Sequence, residues 1–200
     1  MAQGTKKPKT EQASPRYKGI DEWADDKVLS AILNAQVKSI SAIRKAIPVM
    51  AQAAEAAALR LKDDGGNGRI VYIGSGTPAR LAVQDGTELP PTFGWSRLRL
   101  AFVIAGKEKA LTQAIEGAED DVQAAEDSIR DLRLTAHDVC FAISASGTTP
   151  FTVAACKAAR AAGALTIGIA SNPDTPLLHA AEYAVHTDSG PEPVAGSTRM

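Results

Sequence analysis

Apolar positions follow a helical period over the first third of the chain. Between residues 26 and 62 they recur at spacings of three, four and seven, which is typical of an amphipathic α-helix. The residues on this face are Val28, Leu29, Ile32, Leu33, Ile40, Ile43 and Ile47. Pro48 has no amide proton and predicts a kink or a break, and DDGGNG at 63–68 ends the pattern. The polar residues 1–20 are expected to form a flexible tail.

Short apolar segments replace the helical period after residue 67. They predict five strands, at 69–74, 97–106, 138–144, 165–170 and 182–187. Several are continuously apolar, which is typical of strands covered on both faces, and helical stretches separate most of them. We therefore predict an α/β fold with a parallel sheet flanked by helices. It forms one domain over residues 21–200, with a helical segment at about 26–62 and an α/β core at about 67–200.

Composition excludes several classes of partner. The 200 residues are 44% hydrophobic and 4% aromatic and carry a formal net charge of −1, which disfavours nucleic acid and anionic membranes as partners. Cys140 and Cys156 lie in apolar segments without a CxxC motif, so we expect buried reduced thiols and a cytoplasmic location. The three histidines, His137, His179 and His186, have no metal-site spacing, and we expect no metal.

Two loops rich in glycine and hydroxyl residues follow predicted strands, one at 74–77 and the other at 144–150. Ligands of open α/β sheets bind beyond the carboxyl ends of the strands. A helix beginning near Thr149 or Pro150 would turn its free N–H groups and its positive dipole end toward the second loop, which favours an anion such as phosphate. Alternatively, Ser146 or Thr149 only caps this helix. Two such loops together favour a ligand.

The first loop also matches the dinucleotide fingerprint GxGxxG/A, through Gly74, Gly76 and Ala79. That fingerprint needs an acidic residue about 20 positions further on, at the end of the next strand. Asp85 and Glu88 both fall before the next predicted strand. The sequence therefore disfavours a nicotinamide or flavin cofactor.

Two glutamates are candidates for acid–base chemistry near these loops. Glu88 lies in a predicted loop before two prolines, and Glu119 lies at the start of a helix that follows the second strand. Carboxylates in different surroundings can divide the acid and base roles. Alternatively, Glu88 is a solvated loop residue, and Glu119 stabilises the helix dipole together with Glu116, Asp120 and Asp121.

Five segments together resemble the N-acetylmuramic acid 6-phosphate etherases: GRIVYIGSGTPARLAVQDGTELPPTFG, IEGAEDD, TAHDVCFAISASGTTPF, GALTIGIASNP and GPEPVAGSTRM. These enzymes have a sugar-isomerase (SIS) domain and are related to the glucokinase regulatory protein. The resemblance implies an SIS-type sheet and a lyase that cleaves the D-lactyl ether by elimination and hydration. It also implies peptidoglycan recycling, a sugar phosphate as ligand, no cofactor and a homodimer.

The resemblance assigns roles to particular residues. Glu88 matches the acid that assists lactate departure, Glu119 matches the base at C2, and Glu116 lies near the sugar. The residues matched to substrate or phosphate binding are Thr77, Ser144, Ser146, Gly147, Thr148 and Thr149.

Some positions depart from the family pattern. Pro78 and Ala79 replace Ser and Gly of GTSGR, Thr148 replaces the Arg of SGRTP, and Gly86 replaces the Ala of DASE. These changes permit an altered substrate or reduced activity. They keep open two alternatives, a non-catalytic phosphosugar-binding regulatory module and an SIS-type sugar-phosphate isomerase. The family continues with further helices after GSTRM, so we expect this chain to lack that extension.

Overall fold

A five-stranded parallel sheet forms the centre of the computed structural model, which describes residues 8–62, 65 and 67–197. The strands are β1 (Ile70–Gly74), β2 (Leu100–Ile104), β3 (Val139–Ile143), β4 (Leu165–Ala170) and β5 (Tyr183–His186). The α-helices are α1 (Asp25–Lys62), α2 (Gly76–Phe93), α3 (Val122–Leu132), α4 (Pro150–Ala161) and α5 (Pro176–Ala180). All five predicted strands and the α/β fold are confirmed.

Helices cover both faces of the sheet, whose order is β2-β1-β3-β4-β5. Side chains alternate along β1, so Val71 and Ile73 join the core beneath α3, α4 and α5. Tyr72 points to the other face, where its ring stacks between those of Phe102 and Phe141. Helices α1 and α2 pack on that second face. This double cover explains the continuous apolar runs in the strands.

Helix α1 runs unbroken through Pro48, so a break at this position is wrong. A proline removes one backbone hydrogen bond, and alanines on both sides of Pro48 hold the helix against the sheet. Its buried contacts to β3, β4 and β5 come from Ala46, Ala53 and Ala57. The larger apolar residues of the predicted face stay exposed in the single chain: Leu29 67%, Leu33 60%, Ile40 63% and Ile47 54%.

A buried ion pair joins β1 to β3 at the amino end of the sheet. Asp138 is 1% exposed. Its carboxylate accepts hydrogen bonds from the Arg69 side chain at 2.9 and 3.0 Å, from the Arg69 N–H at 2.9 Å and from the Thr135 N–H at 2.7 Å. Burial alone would raise the pKa of Asp138, but these hydrogen bonds outweigh it and hold the pKa below its usual range.

The N-terminal segment lies against the carboxyl end of the sheet. Residues 8–22 contain three short 3₁₀ turns, and Thr10 is only 2% exposed. This anchoring differs from the flexible tail expected over residues 1–20, of which residues 1–7 lie outside the described residues. A pattern of polar residues did not indicate it because the contacts join positions more than 160 residues apart.

Three further observations concern cysteines, metals and membranes. Cys140 and Cys156 are free and buried, and burial raises the pKa of both thiols, that of Cys156 to about 11. Among the described residues, no three His, Cys, Asp or Glu side chains cluster as metal ligands would. None of the helices in the described ranges has the length and apolarity needed to cross a bilayer.

Candidate functional site

The site lies where the order of the strands reverses. In the order 2-1-3-4-5 this point falls between β1 and β3, and α2 and α4 leave these strands toward opposite faces, which opens a crevice. Gly74 and Ile143, the last residues of the two strands, are register partners. A Cβ at Gly74 would lie 3.1 Å from the carbonyl oxygen of Ile143, so this close approach favours glycine. The two loops chosen from the sequence therefore begin side by side.

A cavity of about 300 Å³ fills this crevice. Its walls combine both loops with the N-terminal segment and the turn before α3. The lining residues are Thr10, Glu11, Ser75, Gly76, Thr77, Pro78, Glu119, Ser144, Ala145, Ser146, Thr149 and Gly196. Five residues expected from the sequence thus lie around one cavity: Thr77, Glu119, Ser144, Ser146 and Thr149.

Hydroxyl groups of the second loop form a connected cluster at the base of the cavity. The Oγ of Ser144, which is 3% exposed, lies 3.0 Å from the Thr149 Oγ1 and accepts the Gly147 N–H at 3.1 Å. The Ser146 Oγ accepts from the N–H of Thr148 at 3.2 Å and from its hydroxyl at 3.0 Å. These bonds fix the loop, because each hydroxyl holds a neighbouring group in place.

Two helices begin at the cavity. Ser75 precedes α2 and Thr149 precedes α4, and neither side chain caps its helix. The capping alternative for Thr149 is therefore wrong, since its hydroxyl bonds to Ser144 instead. Two sets of uncapped helical N–H groups and two positive dipole ends face the same space, which suits an anion.

Glu119 reaches the cavity from a 3₁₀ turn, Ala118–Asp120, rather than from the start of an α-helix as expected. Asp121 follows it and caps α3 by accepting the Ala124 N–H at 2.9 Å. The helix therefore begins at Val122, three residues after Glu119, and the Glu119 side chain is not needed as a cap. Glu119 lines the same cavity as the hydroxyl cluster.

Glu88 does not lie on this cavity. Helix α2 continues to Phe93 with Pro90 and Pro91 inside it, so the loop expected around Glu88 is wrong. Glu88 is twelve residues beyond Gly76, the first residue of α2, which is about 18 Å at 1.5 Å per residue. The pair of Glu88 and Glu119 is therefore not assembled within one chain.

Three other expected residues lie beside the cavity rather than on it. Glu116 lines a neighbouring cavity, and Thr148 lines a groove next to α3. Gly147 lies within the loop and has a left-handed φ of +73°. A Cβ at Gly147 would lie 2.4 Å from the Thr175 Oγ1, so no larger residue fits there without a shift.

A larger cavity of about 480 Å³ adjoins the first and shares Pro78, Ser144 and Ala145 with it. Its apolar lining includes Tyr72, whose hydroxyl donates to the Asp85 carboxylate at 2.6 Å. Burial, followed by this hydrogen bond to Asp85, raises the pKa of Tyr72. The phenol is therefore neutral and fixed in position.

Thr10, Glu11 and Gly196 were missed as cavity residues. Asn172, whose amide joins Thr10 to the second loop, was missed as well. Residues 9–11 gave no signal because a short polar segment outside the sheet has no periodicity. Asn172 follows β4 and could have been chosen by the strand-end rule applied to the first two loops.

The chain matches the glucokinase regulatory protein N-terminal SIS domain over residues 50–160, which is more than half of its length. It is 44% identical to the N-acetylmuramic acid 6-phosphate etherase of Deinococcus radiodurans, over 96% of the chain and 62% of the relative. It is 40% identical to the same-named enzyme of Serratia proteamaculans, over 96% and 63%. The chain thus spans about three fifths of these relatives.

Solved structures agree on the fold. A candidate sugar-phosphate isomerase from Listeria monocytogenes has a TM-score of 0.52 at 18% identity, covering 86% of this chain and 78% of that one. The Vibrio vulnificus NanR protein, complexed with ManNAc-6P, has a TM-score of 0.51 at 14% identity, covering 86% and 56%. These likenesses show the fold. The match over residues 50–160 shows that the chain belongs to the family of SIS domains represented by the N-terminal domain of the glucokinase regulatory protein.

Proposed function

We propose that the chain is the SIS domain of an N-acetylmuramic acid 6-phosphate etherase. Such a lyase converts its substrate and water to N-acetylglucosamine 6-phosphate and D-lactate in peptidoglycan recycling. The observation that carries the proposal is one cavity that is lined by Glu119, by a hydroxyl cluster and by residues at the starts of two helices. The identity of 40–44% to enzymes of this name over 96% of the chain supports it.

The phosphate of the substrate binds at the hydroxyl cluster. Ser144, Ser146 and Thr149 offer hydroxyl donors, and Thr77 approaches from the start of α2. Uncapped N–H groups and the dipoles of α2 and α4 add to the attraction for a dianion. This arrangement orients the sugar by one end and leaves the carbons near the other end free to react.

Glu119 acts as the base. When the sugar ring opens, the aldehyde at C1 acidifies the proton at C2, and the Glu119 carboxylate takes that proton. The electron pair forms a C2–C3 double bond, and the C3–O bond to lactate breaks while an acid protonates the departing oxygen. Water then adds its oxygen to C3, and C2 regains a proton. The exposed position of Glu119 in the turn suits a base that exchanges protons with water.

The acid comes from a second copy of the chain. Glu88 of the same chain is about 18 Å along α2 from the cavity at 1.5 Å per residue, too far for a hydrogen bond. Glu88 and Leu81 are seven residues apart and so share one face of the helix, and Leu81 is 59% exposed. A second copy covering this face brings Glu88 toward the cavity of its neighbour.

The exposed apolar residues of α1 support the same homodimer. From Leu29 to Met50 the helix exposes a row of large apolar side chains. Leu29 and Met50 are 21 positions apart, which is about 32 Å at 1.5 Å per residue. An apolar surface of this extent is typical of an interface. Light scattering over a concentration series is expected to give the mass of two chains, and a monomer at all concentrations would contradict the dimer.

A cytoplasmic location belongs to the proposal. Cys140 and Cys156 are both free, which suits a reducing compartment.

The test is release of D-lactate from N-acetylmuramic acid 6-phosphate. We expect the chain to release it, Glu119→Gln and Glu88→Gln to abolish release, and Glu126→Gln, an exposed residue outside the cavity, to match wild type. Absence of release by wild type with retained binding of N-acetylglucosamine 6-phosphate would replace the etherase by the regulatory alternative. Release that survives Glu119→Gln would overturn the role of Glu119.

A further inference from the structure

The side chain of Asn172 joins the N-terminal segment to the site. Asn172 is 4% exposed and Thr10 is 2% exposed. The Asn172 Oδ1 accepts the Lys9 N–H at 2.7 Å, and its Nδ2 donates to the Thr10 Oγ1 at 3.0 Å. These groups lie 162 and 163 positions apart in sequence. Their pairing fixes residues 9 and 10 over the carboxyl end of β4.

The same amide holds the second loop. Its Nδ2 also donates to the carbonyl oxygens of Ala145 at 3.1 Å and Ser146 at 3.3 Å. From the other side, the Gly196 N–H donates to the Thr10 carbonyl oxygen at 2.9 Å. The segment and the hydroxyl loop are thus positioned by a common partner, so a displacement of one disturbs the other.

This attachment places Glu11 on the cavity. Among the described residues, Glu11 and Glu119 are the acidic residues of the chain that line it. Glu11 is exposed, so its side chain is in contact with solvent. A carboxylate accepts hydrogen bonds and repels phosphate, so its partners on a sugar phosphate are hydroxyl or amide N–H groups.

We infer that residues 8–12 form a wall of the ligand site and that Glu11 binds the sugar portion of the phosphosugar through its hydroxyl or amide groups. The inference rests on the sugar-phosphate ligand of the proposed function and does not depend on the etherase reaction. It adds a binding residue that lies outside the five segments resembling the etherases.

Calorimetry with two probes tests the contact. Glu11→Ala is expected to weaken the binding of N-acetylglucosamine 6-phosphate by about tenfold or more, since tenfold is the lower end of the range for a hydrogen bond to a charged group. Its affinity for inorganic phosphate is expected not to fall, because the phosphate donors are untouched. Glu22→Ala removes an exposed carboxylate of the same segment away from the cavity and is expected to match wild type with both probes.

A second variant tests the wall itself. Thr10→Val keeps the shape of the side chain and removes the acceptor of the Asn172 amide. We expect faster hydrogen exchange in residues 8–12 and weaker binding of N-acetylglucosamine 6-phosphate. Unchanged exchange and affinity would contradict the wall.

The outcomes separate this inference from the etherase proposal. Sugar-phosphate binding that depends on Glu11, without D-lactate release, contradicts the etherase alone. D-lactate release with equal binding by wild type and Glu11→Ala contradicts the role of Glu11 alone. A wild-type chain that binds neither probe overturns both.

Discussion

Gly147→Ala tests whether the hydroxyl loop is held as rigidly as its contacts indicate. Two costs combine. A left-handed φ of +73° costs an alanine about 1–2 kcal/mol. The added Cβ would lie 2.4 Å from the Thr175 Oγ1 and 2.6 Å from the Thr175 Cβ, and overpacking of this kind costs about 1–3 kcal/mol. We expect the free energy of unfolding to fall by about 2–5 kcal/mol, the sum of the two terms.

Urea unfolding measures the loss, and Gly163→Ala is the matched control. Gly163 also has a positive φ, of +91°, but its added Cβ would meet nothing closer than 3.9 Å. It is expected to lose only the backbone term, about 1–2 kcal/mol. Equal losses for the two variants would refute the argument that Thr175 closes the space beside the loop. The Gly147→Ala protein that remains folded is also expected to bind inorganic phosphate more weakly than the Gly163→Ala protein does.

Three further predictions concern the core. Gly86→Ala is expected to lose about 1 kcal/mol in urea unfolding despite the better helix propensity of alanine, because the Cβ would lie 2.8 Å from the Phe102 ring; a gain would contradict this. The pKa of Asp138 is lowered, so its stabilisation is complete above the unfolded pKa of about 4 and is lost as pH falls through the folded pKa. The stability difference between wild type and Asp138→Asn is therefore expected to shrink from pH 7 to pH 3, and a constant difference would refute it. Cys140 and Cys156 are expected to react with a thiol reagent at pH 8 only after unfolding, because burial raises the pKa of both thiols; rapid reaction in the native state would contradict their burial.

Local pattern predicted the sheet and the two loops well. The five strands stand out because burial on both faces requires continuous apolar residues. The loops at Gly74 and Ser144 stand out because small and hydroxyl residues directly follow such strands. The rule that ligands bind at the carboxyl ends of strands then placed both loops at one edge of the sheet. The order of the strands, which makes the loops neighbours, came only from the structure.

The end of α2 was predicted less well because its prolines were taken as the sign of a loop. Pro90 and Pro91 occupy the end of α2, where their missing N–H groups cost two bonds, and Gly94 closes the helix with a φ of +65°. The helix thus extends through Glu88 and carries it away from the cavity. The presence of two prolines in the sequence does not tell whether the packing of α2 on the sheet compensates for the two lost hydrogen bonds.

Long-range contacts explain the remaining differences. Thr10 and Glu11 reach the cavity through Asn172, and no local pattern connects positions so far apart. The fully buried residues of α1 on the sheet are alanines, while most of its larger apolar residues are exposed in the single chain. Hydrophobic periodicity identified the helix correctly.

The central claim is that phosphate binding at the hydroxyl loop of one chain positions the substrate between its own Glu119 and Glu88 of a second copy. Mixing Glu88→Gln and Glu119→Gln chains tests it most directly, with D-lactate release from N-acetylmuramic acid 6-phosphate as the readout. Each variant alone is expected to be inactive. In an exchanging equimolar mixture half of the dimers are mixed and each has one intact site, so about a quarter of wild-type activity should return. A mixture as inactive as its components, beside an active wild type, would contradict the shared site.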